Sequence, residues 1–162
     1  PEVQLQMIQL FAVACGSRGM AGGQAIDLDA VGKLLSLPEL ENMHIHKTGA
    51  LIRASVLLGA HCGEPLGAAS LGHLDRYAKC VGLAFQVVDD VLDATASTET
   101  LGKTAGKDAD ANKPTYVTVL GVQRARAFAA ELLEDATSAL PRLDGRSERL
   151  AQLGRFIVTR EF

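Results

Sequence analysis

A long, mostly apolar segment from Ala68 to Ala94 limits the folds open to this chain more than any other feature. A second segment, Thr48 to Ser55, is nearly apolar on all sides, which is typical of a helix deep inside a bundle. Alanine and leucine supply most of the apolar content and aromatic residues make up only 4%, a balance that favours helices over strands. Long apolar helices without strands between them predict an all-α bundle.

The other parts of the chain also carry helical patterns, and together they predict one domain over residues 1–162. The predicted helices are Val3–Cys15 with one buried face, Leu37 to about Gly59 with Pro38 in its first turn, Tyr116–Gly121, Val122–Leu140 and Arg146–Thr159. The polar stretch from Thr95 to Asn112 is predicted to be a long ordered loop, and such loops are usually functional. Because Pro1 falls within an amphipathic pattern, we expect a fragment of a longer chain.

Composition argues against several classes of function. The formal net charge of -3 provides no broad basic surface for nucleic acid. Cys15, Cys62 and Cys80 have no zinc-like spacing, so we expect buried, unpaired thiols in a reducing compartment. The longest apolar stretch, Gly49 to Ala60, is interrupted by Arg53 and is too short to span a bilayer, and no signal peptide is visible. These observations predict a cytoplasmic protein without a membrane span.

Three carboxylates near the end of the long apolar helix need a cation. Asp89 and Asp93 are four residues apart and therefore lie one turn apart on one side of the helix, with Asp90 beside them. Residues 80–102 contain no lysine that could offset their repulsion. Magnesium binds one or two carboxylates together with substrate phosphate oxygens, so the pattern predicts such a site. The alternative is the acidic rim of a solvated helix. Phe85, one turn earlier, is either core or in contact with an apolar substrate tail.

A phosphate held by magnesium would also need basic side chains opposite it. Lys47 lies in an otherwise apolar helix, where a lysine needs an anionic partner or must reach out to solvent. Lys103, Lys107 and Lys113 lie in the polar, glycine-containing stretch, which lacks the spacing of a Walker A loop. Each of these three alone would be read as ordinary surface charge. Together with the aspartates they predict a phosphate site.

The remaining polar residues are weaker candidates. His44 and His46 are two residues apart and face different directions on a helix, so they are predicted to be surface histidines rather than ligands of one metal. Gln24 and Asp27 follow a Gly-Gly pair and either line a polar pocket or cap a turn. Arg160 is predicted to be a solvated chain end, with the alternative that it reaches a phosphate.

Four segments, taken in order, resemble the short-chain trans-prenyl diphosphate synthases, especially the bacterial farnesyl and geranyl diphosphate synthases. The resemblance covers essentially the whole chain and implies the C-terminal half of the orthogonal helical bundle of the isoprenoid synthase type. The segments are Gly19–Leu28 with the Gly-Gln-x-x-Asp pattern, His46–Ile52 with Lys-Thr, Gly82–Asp93 with the second Asp-Asp-x-x-Asp motif, and Gly102–Asp108 with Lys113–Tyr116.

The resemblance implies a role for each charged group. Asp89, helped by Asp93 and supported by Asp90, would bind Mg²⁺ that bridges the diphosphate of the allylic substrate. Lys47 and Lys103 would hold the same diphosphate as it leaves. The reaction implied is the condensation of an allylic diphosphate with isopentenyl diphosphate, in which the diphosphate and a proton are lost.

The uncharged and neighbouring residues also acquire roles from the resemblance. The backbone carbonyls of Thr48 and Gln86 would lie near the developing carbocation, and Phe85 and Gln86 near the isopentenyl substrate. Gln24 and Asp27 would line the cavity and orient the lysines. An apolar bundle interior would protect the carbocation from water.

One departure from the family pattern is that this chain has a single Asp-Asp-x-x-Asp motif. Family members carry an earlier one, on a helix that would belong to a missing N-terminal half, together with an arginine pair for isopentenyl diphosphate. We therefore expect the fragment alone to be inactive and the whole synthase to be a homodimer. The alternatives are an inactive proteolytic remnant, a non-catalytic partner subunit, a terpene cyclase and a structural helical module. The expected cyclase motif does not match Asp89 to Ala96.

Overall fold

The structure, a computed structural model, describes residues 1–95, 113–140, 143 and 147–161, and every regular element within these ranges is helical. The all-α prediction is therefore confirmed for the described part of the chain. A π-helical turn, Ile45–Gly49, joins the third and fourth helices without a loop. The α-helices are α1 Glu2–Cys15, α2 Met20–Asp29, α3 Leu37–His44, α4 Ala50–His61, α5 Ala68–Thr95, α6 Tyr116–Leu120, α7 Val122–Ala139 and α8 Glu148–Thr159.

The start of α3 follows its local sequence. The carboxylate of Glu39 accepts a hydrogen bond from the backbone N–H of Ser36 at 2.8 Å, and Pro38 occupies the first turn, where its missing N–H carries no penalty. The sequence predicted one uninterrupted helix from Leu37 to about Gly59, whereas the structure inserts the π-helical turn in its middle. The extra residue of a π turn changes the direction in which the following side chains point.

Helix α5 is the central element, since it packs most extensively against α7 and also against α4, the π-helical turn, α6 and α8. The main core lies where α3, α5, α6 and α7 meet, and includes the fully buried Leu40, Met43, Val87 and Tyr116. The close approach of α5 to the π-helical turn depends on glycine. A Cβ on Gly82 would lie 3.1 Å from the Cα of Gly49.

Two expectations about burial were wrong. The predicted buried face of α1 is only partly covered, with Ala14 buried, whereas Phe11 is 54% exposed, because the described helices pack against only a narrow part of α1. The three cysteines are unpaired as predicted, but Cys62 is exposed at the end of α4 and the other two are half-buried. Among the described residues, no helix has the length and apolar character needed to cross a membrane.

Candidate active site

Asp27, on α2, lies between two lysine side chains from distant parts of the chain. Its Oδ2 atom is 2.9 Å from Lys47 Nζ and 3.4 Å from Lys113 Nζ. Burial by itself raises the pKa of the Asp27 carboxyl, but hydrogen bonding and charge from Lys47, and then from Lys113, outweigh burial and hold the pKa below its ordinary value. Two ammonium groups share one carboxylate, which leaves positive charge here for an anionic ligand.

The position of Lys47 follows from how α2 packs against the π-helical turn. Gly23 lies one turn before Asp27, and a Cβ at this position would collide with the backbone N of Lys47. Only a glycine therefore allows the two backbones to approach this closely. The sequence placed a lysine within an apolar helix and so predicted that Lys47 needs an anionic partner or must reach solvent; in the structure its partner is Asp27.

A chain of hydrogen bonds joins the π-helical turn to α5 and to the start of α6. Thr48 Oγ1 donates to Gln86 Oε1 at 3.3 Å, and Gln86 Nε2 donates to Asp90 Oδ1 at 3.0 Å. The second oxygen of Asp90 accepts from the backbone N–H of Tyr116 at 2.8 Å. Asp90 is 4% exposed, so its carboxylate faces the protein interior. The Lys-Thr pair, the aspartate-rich helix and the segment with Lys113 are thus physically connected.

Asp89 lies on a different side of α5 from Asp90, because successive helical residues are about 100° apart. Its side chain is 57% exposed, and Asp93 follows one turn later, half-buried. Two carboxylates one turn apart fit magnesium, which completes its shell with water and substrate phosphate oxygens. Within the described ranges no three acidic, histidine or cysteine side chains form a metal-binding group.

Arg160, just after α8, folds back onto α5, and the prediction of a solvated chain end was wrong. Its Nη2 atom lies 3.2 Å from Asp89 Oδ1 and donates to the backbone carbonyl oxygen of Phe85 at 3.4 Å. The guanidinium lies over the Phe85 ring, 4.3 Å from its centroid, and the side chain is only 14% exposed. A stacked guanidinium loses less hydration than an ammonium would, which explains the position.

His44 is a functional candidate that the sequence reasoning missed, since the prediction of a surface histidine was wrong. The residue is 5% exposed, and its ring stacks on Tyr116 with 5.4 Å between centroids. Burial first, and then the charge of Lys47, lowers the pKa of the imidazole to about 4. The sequence offered one signal for a role near the site: His44 directly follows Met43, which is buried, and precedes Lys47 by three residues. His46, in contrast, is half-exposed and contacts the Asn42 carbonyl.

The remaining candidates have less defined surroundings. Gln24 is exposed on α2, one turn before Asp27, and Phe85 is half-buried beneath Arg160. Lys103 lies outside the described residues, as does Lys107. The structure therefore brings together Asp27, Lys47 and Lys113 in one cluster, while Asp89 and Arg160 meet on the side of α5 that faces solvent.

Chemically, the arrangement combines lysine cations with acidic oxygens connected through a short polar chain. Ammonium groups bind phosphate oxygens as point charges, and carboxylates bind the divalent cation that accompanies a diphosphate. The aligned Thr48–Gln86–Asp90 hydrogen bonds limit movement between these groups. Such a site can stabilise negative charge that develops on a departing phosphate group.

Comparisons with known proteins found related sequences over most of the chain. The sequence profile described as "Polyprenyl synthetase" matches residues 2–151. A "Probable farnesyl diphosphate synthase" of Bradyrhizobium diazoefficiens is 51% identical over 152 residues, which are 92% of this chain and 46% of that protein. The farnesyl diphosphate synthase of Escherichia coli is 47% identical over 167 residues, covering 99% of this chain and 56% of that protein. The chain thus spans about half the length of these curated relatives.

A solved structure shows the same fold. The crystal structure of a geranyltransferase from Helicobacter pylori, complexed with magnesium and isoprenyl diphosphate, superimposes with a TM-score of 0.80 at 30% identity. The match covers 97% of this chain and 51% of that chain. The prediction of a helical bundle of the isoprenoid synthase type is therefore confirmed.

Proposed function

This chain belongs to the polyprenyl synthetase family, and we propose that it provides one part of the active site of a prenyltransferase of isoprenoid biosynthesis. The enzyme would condense an allylic diphosphate with isopentenyl diphosphate and release diphosphate. Its relatives are farnesyl and geranylgeranyl diphosphate synthases, so the substrates proposed are those of short-chain synthases.

The observation that carries this proposal is the shared carboxylate of Asp27, which holds Lys47 and Lys113 at 2.9 and 3.4 Å. Two cations that share one acidic partner within the described part of the chain favour a multiply charged anion, and a diphosphate is such an anion. Thr48, next to Lys47, is hydrogen-bonded to Gln86, one turn before the aspartates of α5. The basic and the acidic groups are therefore neighbours in the fold, as the two ends of a metal-bound diphosphate require.

The proposed mechanism begins with the allylic diphosphate held at its leaving group. Lys47 and Lys113, together with Lys103, would bind the diphosphate oxygens and stabilise the charge that develops when the carbon–oxygen bond breaks. Asp89 and Asp93 would hold Mg²⁺, which when bound supplies Lewis-acid stabilisation of the same leaving group. Arg160, which reaches the same side of α5, would contact an anionic substrate once it leaves Asp89.

The apolar part of the reaction would take place beside Gln86 and Phe85. The carbonyl oxygens of Thr48 and Gln86 would lie near the positive charge on the allylic fragment, and the Phe85 ring near the isopentenyl group. The double bond of isopentenyl diphosphate then attacks the allylic carbon, and a proton is lost from the adduct. Gln24, beside Asp27, would line the cavity. The apolar residues around α5 would exclude water, which would otherwise capture the cation.

Product formation from radiolabelled isopentenyl diphosphate and geranyl diphosphate, with Mg²⁺, tests the proposal on the intact polypeptide. We expect Asp89→Asn and Lys47→Gln each to lower the turnover number by about 100-fold or more. Asp135→Asn is the matched control, because Asp135 is a 60%-exposed carboxylate on α7 whose ion pair with Arg76 lies on the surface. Equal turnover in all four proteins, or no product with any allylic diphosphate, would reject the proposed reaction.

We further propose that the chain by itself does not catalyse condensation, that the whole synthase is a homodimer and that it works in the cytoplasm. The first proposal follows from the family's first aspartate-rich motif, which this chain does not contain and which would bind further metal from elsewhere in the synthase. A comparison of residues 1–162 with the intact polypeptide in the same assay tests it, and comparable turnover would contradict it. Sedimentation equilibrium and cell fractionation test the other two.

A further inference from the structure

The adjacent residues Asp89 and Asp90 occupy opposite environments, although the aspartate-rich motif presents them as a pair. The side chain of Asp89 is 57% exposed and close to Arg160, whereas Asp90 is 4% exposed. A metal ion bound with a substrate needs carboxylate oxygens that solvent and substrate can reach. Asp89 meets this requirement and Asp90 faces the core, so the two residues need different explanations.

We propose that Asp90 is a positioning residue, which holds the Lys113–Tyr116 segment and the Gln86 amide in register, rather than a ligand of the metal. The inference rests on the proposed function and deepens it, since the groups that Asp90 would position are those assigned to diphosphate. It replaces the supporting role in the magnesium shell that the resemblance implied for Asp90.

Asp90 holds the start of α6 through the backbone of Tyr116. Asp90 Oδ2 accepts the backbone N–H of Tyr116 at 2.8 Å, at the start of α6. Backbone N–H groups in the first turn of a helix have no partner within it, so this bond fixes where α6 begins relative to α5. Lys113 precedes Tyr116 by three residues, with Pro114 restricting the backbone between them. Fixing Tyr116 therefore limits where the Lys113 ammonium group can reach.

Asp90 also contacts Gln86, on its own helix. Asp90 Oδ1 accepts Gln86 Nε2 at 3.0 Å, which directs the amide oxygen of Gln86 towards Thr48 Oγ1. The same carboxylate thus also orients the contact between α5 and the π-helical turn that carries Lys47. Asp90 links the elements that present both cations of the Asp27 cluster.

The ionised carboxylate of Asp90 can only accept hydrogen bonds. The contacts of Asp90 with Gln86 and Tyr116 are both with N–H donors, so an acceptor is needed at each of these two oxygens. An asparagine would place its NH₂ group against one of these donors. Asparagine has nearly the same size, so Asp90→Asn removes one of the two acceptors on which the positioning role depends, with little change in side-chain volume. Asp89→Asn, one residue earlier, is the matched comparison for a residue that faces the metal.

Hydrogen exchange and calorimetry on the intact polypeptide separate the two roles. With Asp90→Asn we expect amide exchange in residues 113–121 to become at least about tenfold faster, while Mg²⁺ titrated with inorganic diphosphate keeps its wild-type stoichiometry. With Asp89→Asn we expect wild-type exchange in this segment and a reduced metal stoichiometry. Loss of metal by Asp90→Asn, or unchanged exchange in residues 113–121, would overturn the proposal.

A second variant of Asp90 and an assay for prenyl product complete the test of the positioning role. If Asp90→Asn does not fold, Asp90→Glu keeps an acceptor-only carboxylate on a longer arm. We then expect faster exchange in residues 113–121 with retained metal, and loss of metal would overturn the proposal. Failure of the proposed function is distinguishable, because a wild-type protein that forms no prenyl product would reject that function while the exchange data still decide the role of Asp90.

Discussion

Because the imidazole of His44 is buried, we expect the protein to lose stability as the pH is lowered from 7.5 to 5. Its pKa is lowered from 6.5 to about 4, first by burial and then by the charge of Lys47, although the charge of Asp27 opposes the shift. The folded protein therefore keeps His44 neutral where the unfolded chain takes up a proton. Because the unfolded state binds more protons in this pH range, stability falls as the pH decreases through the pKa that the histidine has in the unfolded chain.

The size of the effect follows from the two pKa values. One pKa unit corresponds to about 1.4 kcal/mol, so the full shift corresponds to about 3 kcal/mol, reached near pH 4. At pH 5, where folded His44 is still mainly neutral, the loss relative to pH 7.5 should be about 2 kcal/mol. Asp27 does not obscure this window, because its lowered pKa affects stability only as the pH falls below about 4.

Urea unfolding followed by circular dichroism, at fixed protein concentration, measures the free energy of unfolding at each pH. His44→Phe keeps a ring against Tyr116 but cannot bind a proton, so we expect it to lose about 2 kcal/mol of the pH dependence. At pH 7.5 it should be within about 1 kcal/mol of wild type, since neither imidazole nitrogen has a partner among the described residues. The control, His46→Phe, changes a half-exposed histidine and should retain the slope.

The reasoning fails if wild type and His44→Phe lose equal stability between pH 7.5 and pH 5. It also fails if the wild-type loss is under about 0.5 kcal/mol, since one pKa unit alone would exceed that value. A loss that begins only below pH 4 would point instead to carboxylates such as Asp27, whose pKa is lowered by its two lysine neighbours.

Three other substitutions test the site. Asp27→Asn removes the charge that two lysines share, so the free energy of unfolding should fall by about 1–2 kcal/mol in urea titrations, and no change would contradict the pairing. Arg160→Gln removes a guanidinium proposed to contact the anion and should weaken calorimetric Mg²⁺ binding with inorganic diphosphate by about two- to fivefold, whereas tighter binding would show that Arg160 only competes for Asp89. Gly23→Ala should lower stability in thermal unfolding by about 1–3 kcal/mol, because its Cβ meets backbone, and wild-type stability would refute the close approach.

Local pattern was enough to predict the central helix. The segment predicted from Ala68 to Ala94 forms α5, Ala68–Thr95, because an apolar pattern and good helix formers over this length leave little competition. The same reasoning failed within Leu37–Gly59. The π-helical turn at Ile45–Gly49 lies where α2 packs against the chain through Gly23, and such a contact between distant segments leaves no periodic signal.

The sequence singled out charged candidates for the site but not the directions of their side chains. Asp89 and Lys47 stand out because charges are expensive in apolar surroundings, whereas Asp27 was left open between lining a pocket and capping a turn. The inward direction of Asp90 depends on Tyr116, which is 26 residues later in the chain. The burial of His44 likewise depends on the Tyr116 ring. Neither partner could be chosen without the folded arrangement of α3, α5 and α6.

Two of the buried polar groups of the described structure meet at one residue. Asp90 accepts the backbone N–H of Tyr116, and His44 stacks on its ring. If Tyr116 only filled the core, apolar residues beside it would be more stable, because a buried carboxylate and a buried imidazole both lose hydration. Both groups instead lie within one turn of residues assigned to the diphosphate, Lys47 and Asp89. Their cost is therefore best explained by the precision that the site requires, since stability is commonly sacrificed where function fixes geometry.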